Sequence, residues 1–239
     1  MHRPRQLLHS AAKVAVLTGA GVSAESGIPT FRSSSDKTGG SWQQYRFEDL
    51  ATPQAFARDP KFVWTWYEER RRAIAQAKPN PGHYALAELE RQKPVFTLIT
   101  QNVDGLHDLA GSKNIIRLHG DIWTVRCVAC GAERVERREL NDLPPRCDGR
   151  GGCGGILRPG VIWFGEMLPE DAIERATAAV QTADVLIVAG TSAQVYPAAG
   201  LIPLAKAVIE INPEETEYSA EVTYSIRGTS AEVLPRLLL

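Results

Sequence analysis

The chain has 239 residues, of which 44% are hydrophobic and 23% are charged, as in an ordinary globular protein. Its 27 basic and 28 acidic side chains leave a net charge of −1, so no global positive field attracts nucleic acid or anionic lipid. The sequence contains no apolar run near the roughly 20 residues that span a bilayer, and its amino terminus is too polar for a signal peptide. We therefore expect a cytoplasmic protein with no nucleic-acid and no membrane partner.

Apolar, β-branched runs alternate with helix-length segments along the chain. The predicted strands are Val14–Leu17, Val95–Ile99, Ile115–Leu118, Val161–Phe164, Val185–Ala189, Val208–Ile211 and Val222–Ile226. The predicted helices are Pro60–Ala77, His83–Arg91, Pro169–Val180 and Tyr196–Ala205. This alternation predicts an α/β fold, with helices on both faces of a Rossmann-like parallel sheet.

Two stretches interrupt this alternation. Residues 33–77 open with a polar run and continue into aromatic-rich helical sequence, and residues 121–157 contain all the cysteines. We expect both stretches to form one smaller, inserted helical and zinc-binding domain. The Rossmann-like domain is then discontinuous and comprises residues 1–32, 78–120 and 158–239.

The four cysteines form two close pairs, Cys127-x2-Cys130 and Cys147-x5-Cys153. In a chain without a secretory signal, this spacing is typical of a tetrahedral four-cysteine zinc site. The alternative is a set of free or redox-active thiols. If all four thiolates bind the ion, no coordination position is left for water, so we predict one structural Zn²⁺ per chain.

Five predicted strands end in small, amide or hydroxyl-bearing residues. The loops that follow them begin with Gly19-x-Gly21-x-x-Ala24, Gln101-Asn102-Val103-Asp104, His119-Gly120, Gly190-Thr191-Ser192 and Asn212-Pro213-Glu214. Ligands of open α/β sheets bind outside the carboxyl ends of the strands, so this pattern favours one nucleotide pocket. Ordinary loop composition is the alternative, and it does not predict such residues at five strand ends.

The first of these loops, Gly19–Ala24, resembles a dinucleotide-binding turn, in which glycines let backbone amides approach a phosphate. A dehydrogenase would carry an acidic residue about 20 positions further on, at the end of a second strand. That region is instead the polar run Ser33–Gly40, and Gly27–Arg32 would carry the chain over the nucleotide. The sequence therefore disfavours hydride transfer.

Taken together, these motifs resemble those of the sirtuins, which are NAD-dependent protein lysine deacylases. The matching segments are Gly19–Arg32, Thr100–Asp104, His119–Gly120, both cysteine pairs, Val161–Glu166 and Gly190–Ser192, in the family's order over nearly the whole chain. The resemblance implies that NAD is a co-substrate whose nicotinamide–ribose bond is cleaved, with release of nicotinamide and O-acyl-ADP-ribose. Its partners are then the acylated lysine side chains of proteins.

The resemblance also implies roles for residues of the pocket. His119 matches the general base, which accepts a proton from a ribose hydroxyl, and Asn102 and Asp104 are implied as further catalytic residues. The implied NAD contacts are Gly19, Ala20, Gly21, Ser23, Ile28, Phe31, Arg32, Gln101, Asn102, Val103, Asp104, Gly190, Thr191, Ser192, Asn212, Pro213, Glu214 and Ser230. The alternative for His119 is a hydrogen-bonded structural histidine, an interpretation that we keep for His83 and His107.

Tyr67 and Arg70 lie three residues apart in a predicted helix and therefore share one of its faces. Arginine binds carboxylates with a bidentate fork, and tyrosine adds a hydroxyl donor. From the residues alone, Glu68–Arg72 would form a solvated charged face and Tyr67 would belong to the core. Within the resemblance, Tyr67, Arg70 and the small Ala51 match the branch that removes succinyl, malonyl or glutaryl groups, with acetyl as a further substrate.

The resemblance assigns substrate contacts to a third segment as well. The residues are Val161, Trp163, Phe164, Gly165 and Glu166. We expect this segment to be a strand that pairs with the extended backbone of the substrate, which provides affinity with little sequence selection.

Three other functions stay open. Tyr67, Arg70 and the peptide-binding strand disfavour a mono-ADP-ribosyltransferase. His119, with Asn102 and Asp104, disfavours a non-catalytic NAD or ADP-ribose sensor, because a pure binder needs no base. A zinc-dependent nucleic-acid module fits least, since residues 121–158 carry seven arginines against six acidic residues.

Overall fold

A computed structural model describes residues 1–30, 50–149 and 152–239. The predicted NAD contacts Phe31 and Arg32 lie outside the described residues, as does the polar run Ser33–Gly40. The described strands are Lys13–Thr18 (β1), Val95–Thr100 (β2), Ile115–Arg117 (β3), Gly120–Cys127 (β4), Glu133–Val135 (β5), Leu157–Val161 (β6), Val185–Ala189 (β7), Val208–Asn212 (β8) and Tyr224–Arg227 (β9).

The described helices surround these strands. They are His2–Ser10, Gly21–Ala24, Pro53–Arg58, Pro60–Gln76, Pro81–Gln92, Leu106–Ala110, Glu170–Thr182 and Ser230–Leu238, together with a 3-10 helix at Ala198–Leu204. None of the helices in the described ranges is long and apolar enough to cross a bilayer.

Six strands form one parallel sheet, in the order β3-β2-β1-β7-β8-β9. Numbered along the chain within this sheet, the order is 3-2-1-4-5-6, that of a doubly wound Rossmann fold. The predicted α/β fold is therefore confirmed. The strand order reverses between β1 and β7, and this reversal opens a crevice at their carboxyl ends.

Alternate side chains of β1 explain why the sheet is covered on both faces. Val16 belongs to an apolar cluster with Leu86 of helix Pro81–Gln92 and with the carboxyl-terminal helix. Leu17, its neighbour, belongs to a second cluster with Val180 of helix Glu170–Thr182. A strand that is buried on both faces reads as the continuous apolar run seen in the sequence.

A second, antiparallel sheet has the order β5-β4-β6 and packs against helix Pro60–Gln76. Trp64 of that helix is fully buried and donates its indole N–H to the carbonyl oxygen of Leu157 in β6 at 2.6 Å. One apolar cluster thus joins the helix of one predicted insertion to the strands of the other. The division of the chain into two domains stays a prediction.

The predicted strand Val161–Phe164 is wrong beyond its first residue. Strand β6 ends at Val161, and a turn follows in which the backbone N–H of Glu166 donates to the carbonyl oxygen of Trp163 at 3.0 Å. The Glu166 carboxylate accepts the backbone N–H of Trp163 at 2.8 Å. This local carboxylate–backbone bond competes with an extended conformation, which the apolar pattern alone could not reveal.

Helix Pro60–Gln76 carries a buried ion pair between Glu68 and Arg71, whose side chains are 3% and 2% exposed and 2.9 Å apart. Arg71 also donates to the backbone carbonyl oxygens of Glu136 and Arg138, and Glu68 accepts the backbone N–H of Leu140. A solvated charged face is therefore the wrong interpretation for Glu68 and Arg71. The pair attaches the helix to the segment that follows β5.

Replacing Arg71 by methionine should lower the free energy of unfolding by about 3–5 kcal/mol, because the Glu68 carboxylate stays buried without its counter-charge. The matched control is Arg72→Met, since Arg72 is 53% exposed and pairs with Glu139 at the surface. This variant should cost at most about 1 kcal/mol. Urea denaturation followed by tryptophan fluorescence measures both, and equal losses would show that the Glu68–Arg71 pair has no special role.

Candidate active site

The loops after β1 and β7 touch each other at the point where the strand order reverses. The backbone N–H of Gly21 donates to the carbonyl oxygen of Gly190 at 2.8 Å. A Cβ added to Gly190, whose φ is +61°, would lie 2.4 Å from the nitrogen of Val22, and one added to Gly19 would lie 2.7 Å from the Cβ of Thr191. Only glycine allows this approach, so the glycines hold the two loops together.

Side chains from four strand ends are joined by hydrogen bonds. Gln101, after β2, donates to the Thr191 hydroxyl at 3.1 Å, and Asn212, at the end of β8, donates to the Thr191 carbonyl oxygen at 2.9 Å. Asn102 donates to the hydroxyl of Ser23, after β1, at 3.3 Å. The structure thus brings these predicted pocket residues to one edge of the sheet.

A directed chain of hydrogen bonds ends on Asp104. The backbone N–H of Asn80 donates to Nδ1 of His83 at 3.3 Å, so the neutral ring carries its proton on Nε2, which lies 3.4 Å from the Ser23 hydroxyl. Ser23 in turn donates to Oδ2 of Asp104 at 2.7 Å, and the backbone N–H of Leu106 donates to Oδ1. Burial lowers the pKa of His83 to about 4, so the ring is neutral near pH 7, and burial raises the pKa of Asp104.

A second buried network was not predicted from the sequence. The Thr18 hydroxyl donates to that of Thr100 at 2.8 Å and lies 3.1 Å from Nε2 of His107, while Thr100 accepts the backbone N–H of Asn102. His83 and His107 are both buried, with ring centroids 4.8 Å apart. The sequence held one clue to this network, because Thr18 and Thr100 each end an apolar strand. In the structure these strands are neighbours, and the two threonines are partners in the sheet register.

His119 lies between β3 and β4, where its ring is held in one tautomer. Its Nδ1 is 3.0 Å from the carbonyl oxygen of Gln101, and because a carbonyl only accepts, Nδ1 must carry the proton. Nε2 is therefore the ring atom with a lone pair. Burial lowers the pKa of His119 below its ordinary value, so the ring is neutral near pH 7. This is the protonation state that a general base requires.

Tyr67, Ala51 and Trp163 belong to one apolar cluster, which is separate from the two clusters that contain the strands of the parallel sheet. Tyr67 is 4% exposed, and its hydroxyl oxygen accepts the indole N–H of Trp163 at 2.9 Å. The backbone N–H of Phe164 donates to the carbonyl oxygen of Ala51 at 3.0 Å. Burial raises the pKa of Tyr67 to about 12, so its hydroxyl stays protonated. Arg70 lies half-buried on the same helix, with its guanidinium 5.1 Å from the centroid of the Trp66 ring.

Residues of the predicted substrate segment are bonded to one another and to Arg158. Arg158 binds the Glu166 carboxylate through two nitrogens, at 2.5 and 2.8 Å, and its guanidinium lies 3.5 Å from the centroid of the Trp163 ring. Phe164 is partly exposed, and Gly165 has a φ of +85°. Strand β6 ends at Val161 and Glu166 closes a turn after it, so residues 162–166 do not continue the strand in the described structure, and their pairing with a substrate backbone stays a prediction.

The remaining predicted NAD contacts are more scattered. Pro213 and Glu214 are exposed in the loop after β8, whereas Ile28 is buried in the apolar cluster of helix Pro60–Gln76. The carbonyl oxygen of Val103 accepts the backbone N–H of Ile122 in β4 at 3.0 Å. Ser230 is buried, and its hydroxyl makes no hydrogen bond within the described ranges.

The four cysteine sulfurs lie within 4.8 Å of one another. Three of the Sγ–Sγ distances are 3.5 Å (Cys127–Cys153), 3.9 Å (Cys130–Cys147) and 3.5 Å (Cys130–Cys153). A tetrahedron with Zn–S bonds of about 2.3 Å has edges of about 3.8 Å, so the donor set fits Zn²⁺. The backbone N–H of Cys130 also donates to Cys127 and lowers the pKa of that thiol to about 6, which favours the thiolate. The predicted four-cysteine cluster is confirmed.

Comparison with known proteins agrees with this geometry. Residues 19–197 match the model of the Sir2 family. NAD-dependent protein deacylase 2 of Pyrobaculum aerophilum is 50% identical over 97% of this chain and 92% of its own length, and the NAD-dependent protein deacylase of Aquifex aeolicus is 56% identical over 85% and 84%. A solved structure of a Sir2 homologue in complex with NAD is 49% identical, with a TM-score of 0.93, over 100% of this chain and 92% of that chain. The chain belongs to the Sir2 family, the family of NAD-dependent protein deacylases.

Proposed function

We propose that this protein removes acyl groups from protein lysines in an NAD-dependent reaction, and that it prefers the acidic succinyl, malonyl and glutaryl groups while also accepting acetyl. Family membership supports the deacylase activity. The observation that carries the acyl preference is the position of Tyr67 and Arg70 on one helix face, with Tyr67 bonded to Trp163 and packed in the same apolar cluster as Ala51.

The strand ends suit a dinucleotide. Donors of Gln101, Asn102 and Asn212 surround the crevice between β1 and β7, and the buried Ser230 hydroxyl has no hydrogen-bond partner among the described residues. A buried hydroxyl is normally hydrogen-bonded, so a bound group would satisfy it. When bound there, NAD would supply the ADP-ribose that accepts the acyl group.

The protein's own residues would prepare a proton acceptor. His119 would take a proton at Nε2, because its other nitrogen is committed to the carbonyl oxygen of Gln101. Asp104 would hold the Ser23 hydroxyl, and with it the side-chain amide of Asn102, in one orientation. We assign His119 as the base and Asn102 and Asp104 as the other residues that act on the reacting end of NAD.

Burial and charge support an acidic acyl group beside Tyr67. The hydroxyl of Tyr67 keeps its proton and uses its oxygen to accept the Trp163 N–H, so its own O–H can donate to a carboxylate. Burial lowers the pKa of Arg70, which means that its cation is incompletely solvated. An acyl carboxylate would offset that cost, whereas an acetyl methyl group would not.

The deacylase proposal is tested by incubating the protein with NAD and matched acetyl-, succinyl-, malonyl- and glutaryl-lysine peptides. Nicotinamide and deacylated peptide should form together, and faster with the acidic peptides. Absence of peptide-dependent nicotinamide release would refute the proposal. Attachment of ADP-ribose to protein without deacylation would instead identify a mono-ADP-ribosyltransferase.

Replacing Arg70 by methionine should lower kcat/KM for the succinyl peptide by roughly 10- to 150-fold, because a charge-assisted hydrogen bond is lost. The acetyl peptide has no carboxylate to lose, so its kcat/KM should change little. Arg72→Met is the matched control on the same helix and should affect neither peptide. Equal losses with both peptides would show that Arg70 does not bind the acyl carboxylate.

A further inference from the structure

Strand β8 carries one charged residue among apolar ones, Glu210, which is 2% exposed. Its neighbours Ile209 and Ile211 point to the opposite face and are fully buried. Removing a carboxylate from water is costly unless it is paired or hydrogen-bonded. The partners of Glu210 therefore show what the buried carboxylate holds.

Three hydroxyl groups and one guanidinium surround the Glu210 carboxylate. Ser219 and Ser225 each donate to Oε2 at 2.6 Å, Thr216 donates to Oε1, and a nitrogen of Arg227 lies 3.5 Å from Oε2. Burial by itself would raise the pKa of Glu210, but the hydroxyl donors hold it below its ordinary value. The group is therefore an ionised acceptor that gathers donors from two different parts of the chain.

Two of these donors, Thr216 and Ser219, belong to the loop that follows β8. The loop has its own internal bonds, from the backbone N–H of Thr216 to the Ser219 hydroxyl at 2.8 Å and from that of Tyr218 to the Thr216 hydroxyl. Arg227 also donates to the carbonyl oxygen of Glu214 at 2.6 Å. Glu210 thus holds the middle of the loop, at Thr216 and Ser219, and Arg227 holds its start, at Glu214.

The same loop carries Glu214, which the resemblance to the sirtuins assigns, together with Asn212, to the adenosine part of NAD. Asn212 ends β8, and Pro213 and Glu214 are the first two loop residues. The side chain of Asn212 is already bonded to Thr191. The exposed residues Pro213 and Glu214 therefore depend most on the contacts of Glu210 and Arg227 for a fixed position. A loop that is ordered before the ligand arrives loses less conformational entropy on binding.

We propose that Glu210 is a positioning residue for the adenosine subsite: its buried carboxylate fixes residues 213–219 through Thr216 and Ser219 and so presents Glu214 to the nucleotide, beside Asn212. The inference rests on the proposed NAD site. Glu210 itself touches neither the reacting atoms nor the acyl pocket.

Two serines that bind the same oxygen of Glu210 provide a matched test. Ser219→Ala removes a hydrogen bond that the loop donates to Glu210, whereas Ser225→Ala removes an equally short hydrogen bond that β9 donates to the same oxygen. Titration calorimetry with ADP-ribose should show affinity about tenfold weaker for Ser219→Ala, the typical effect of one hydrogen bond to a charged group. Ser225→Ala should stay within about twofold of the wild type.

Glu210→Gln tests the carboxylate directly. It should raise KM for NAD and weaken ADP-ribose binding, while kcat at saturating NAD is retained. Asp184→Asn is the stability control, because Asp184 accepts two backbone N–H groups at the opposite end of the sheet and should leave ADP-ribose affinity unchanged. If Glu210→Gln fails to fold, the ADP-ribose affinities of Ser219→Ala and Ser225→Ala alone decide whether the positioning role holds.

Equal affinities for both serine variants, or a wild-type protein that does not bind ADP-ribose, would overturn the positioning role. A protein that binds ADP-ribose and shows the expected serine contrast, yet deacylates no peptide, would refute the proposed function and leave the positioning role standing. The two failures are therefore distinguishable.

Discussion

Replacing His119 by asparagine should lower kcat by roughly 100- to 10,000-fold, the usual contribution of a general base, and should leave ADP-ribose affinity unchanged. The reason lies in the tautomer: Nδ1 is committed to the Gln101 carbonyl oxygen, and Nε2 is left as the only ring atom that can accept a proton. The asparagine side chain has no comparably basic atom. Steady-state kinetics with saturating NAD and acyl peptide, combined with ADP-ribose calorimetry, measures both quantities.

The wild-type pH profile gives a second readout of the same group. Because burial lowers the pKa of His119 below 6.5, the neutral base persists at lower pH, and the acidic limb of kcat should lie below pH 6.5. His9→Asn is the matched control, since His9 is exposed on the amino-terminal helix, and it should shift neither kcat nor the limb. An active His119→Asn enzyme with an unchanged limb would remove His119 from the role of base.

Replacing Cys147 by serine should abolish zinc binding and unfold the antiparallel sheet. Cys147 is a buried member of the apolar cluster that contains Trp64 and Trp123, and structural zinc contributes on the order of 10 kcal/mol to folding in small metal-binding units. Zinc content should fall from one ion per chain to none, as measured by mass spectrometry. The near-ultraviolet circular dichroism of the tryptophans should be lost in parallel.

Asp148→Asn is the control for the zinc prediction, because Asp148 directly follows Cys147 but its side chain is 77% exposed. This variant should keep one Zn²⁺ and the wild-type spectrum. A strong chelator should reproduce the Cys147→Ser spectrum in the wild-type protein. A zinc-free chain with unaltered tryptophan signals would show that the ion does not stabilise the fold.

The parallel sheet could be predicted because buried parallel strands are continuous apolar runs. Val185–Ala189 is such a run, and its predicted and observed bounds coincide. The grouping of polar loops at one sheet edge follows from the same rule, since the carboxyl ends of parallel strands meet there. The cysteine cluster was predictable for a different reason, because metal ligands follow a fixed local spacing.

Contacts between distant segments could not be read from local patterns. Glu68 and Arg71 have the spacing of an exposed helical pair, and only the packing of residues 136–140 onto them shows that they are buried. The directed chain from His83 through Ser23 joins segments that are 60 residues apart. The turn at Glu166 was missed because a carboxylate that bonds its own backbone leaves no mark on an apolar run.

The interlocked glycines after β1 and β7 limit what a glycine signature can prove. Gly19 and Gly190 exclude even a methyl group because protein atoms, not a ligand, occupy the space. A descendant of this chain that no longer bound NAD would still need both glycines in order to fold. In surveys of distant relatives, the persistence of these glycines should therefore be taken as a mark of ancestry and architecture. Inference of retained NAD chemistry should depend on His119 and its neighbours instead.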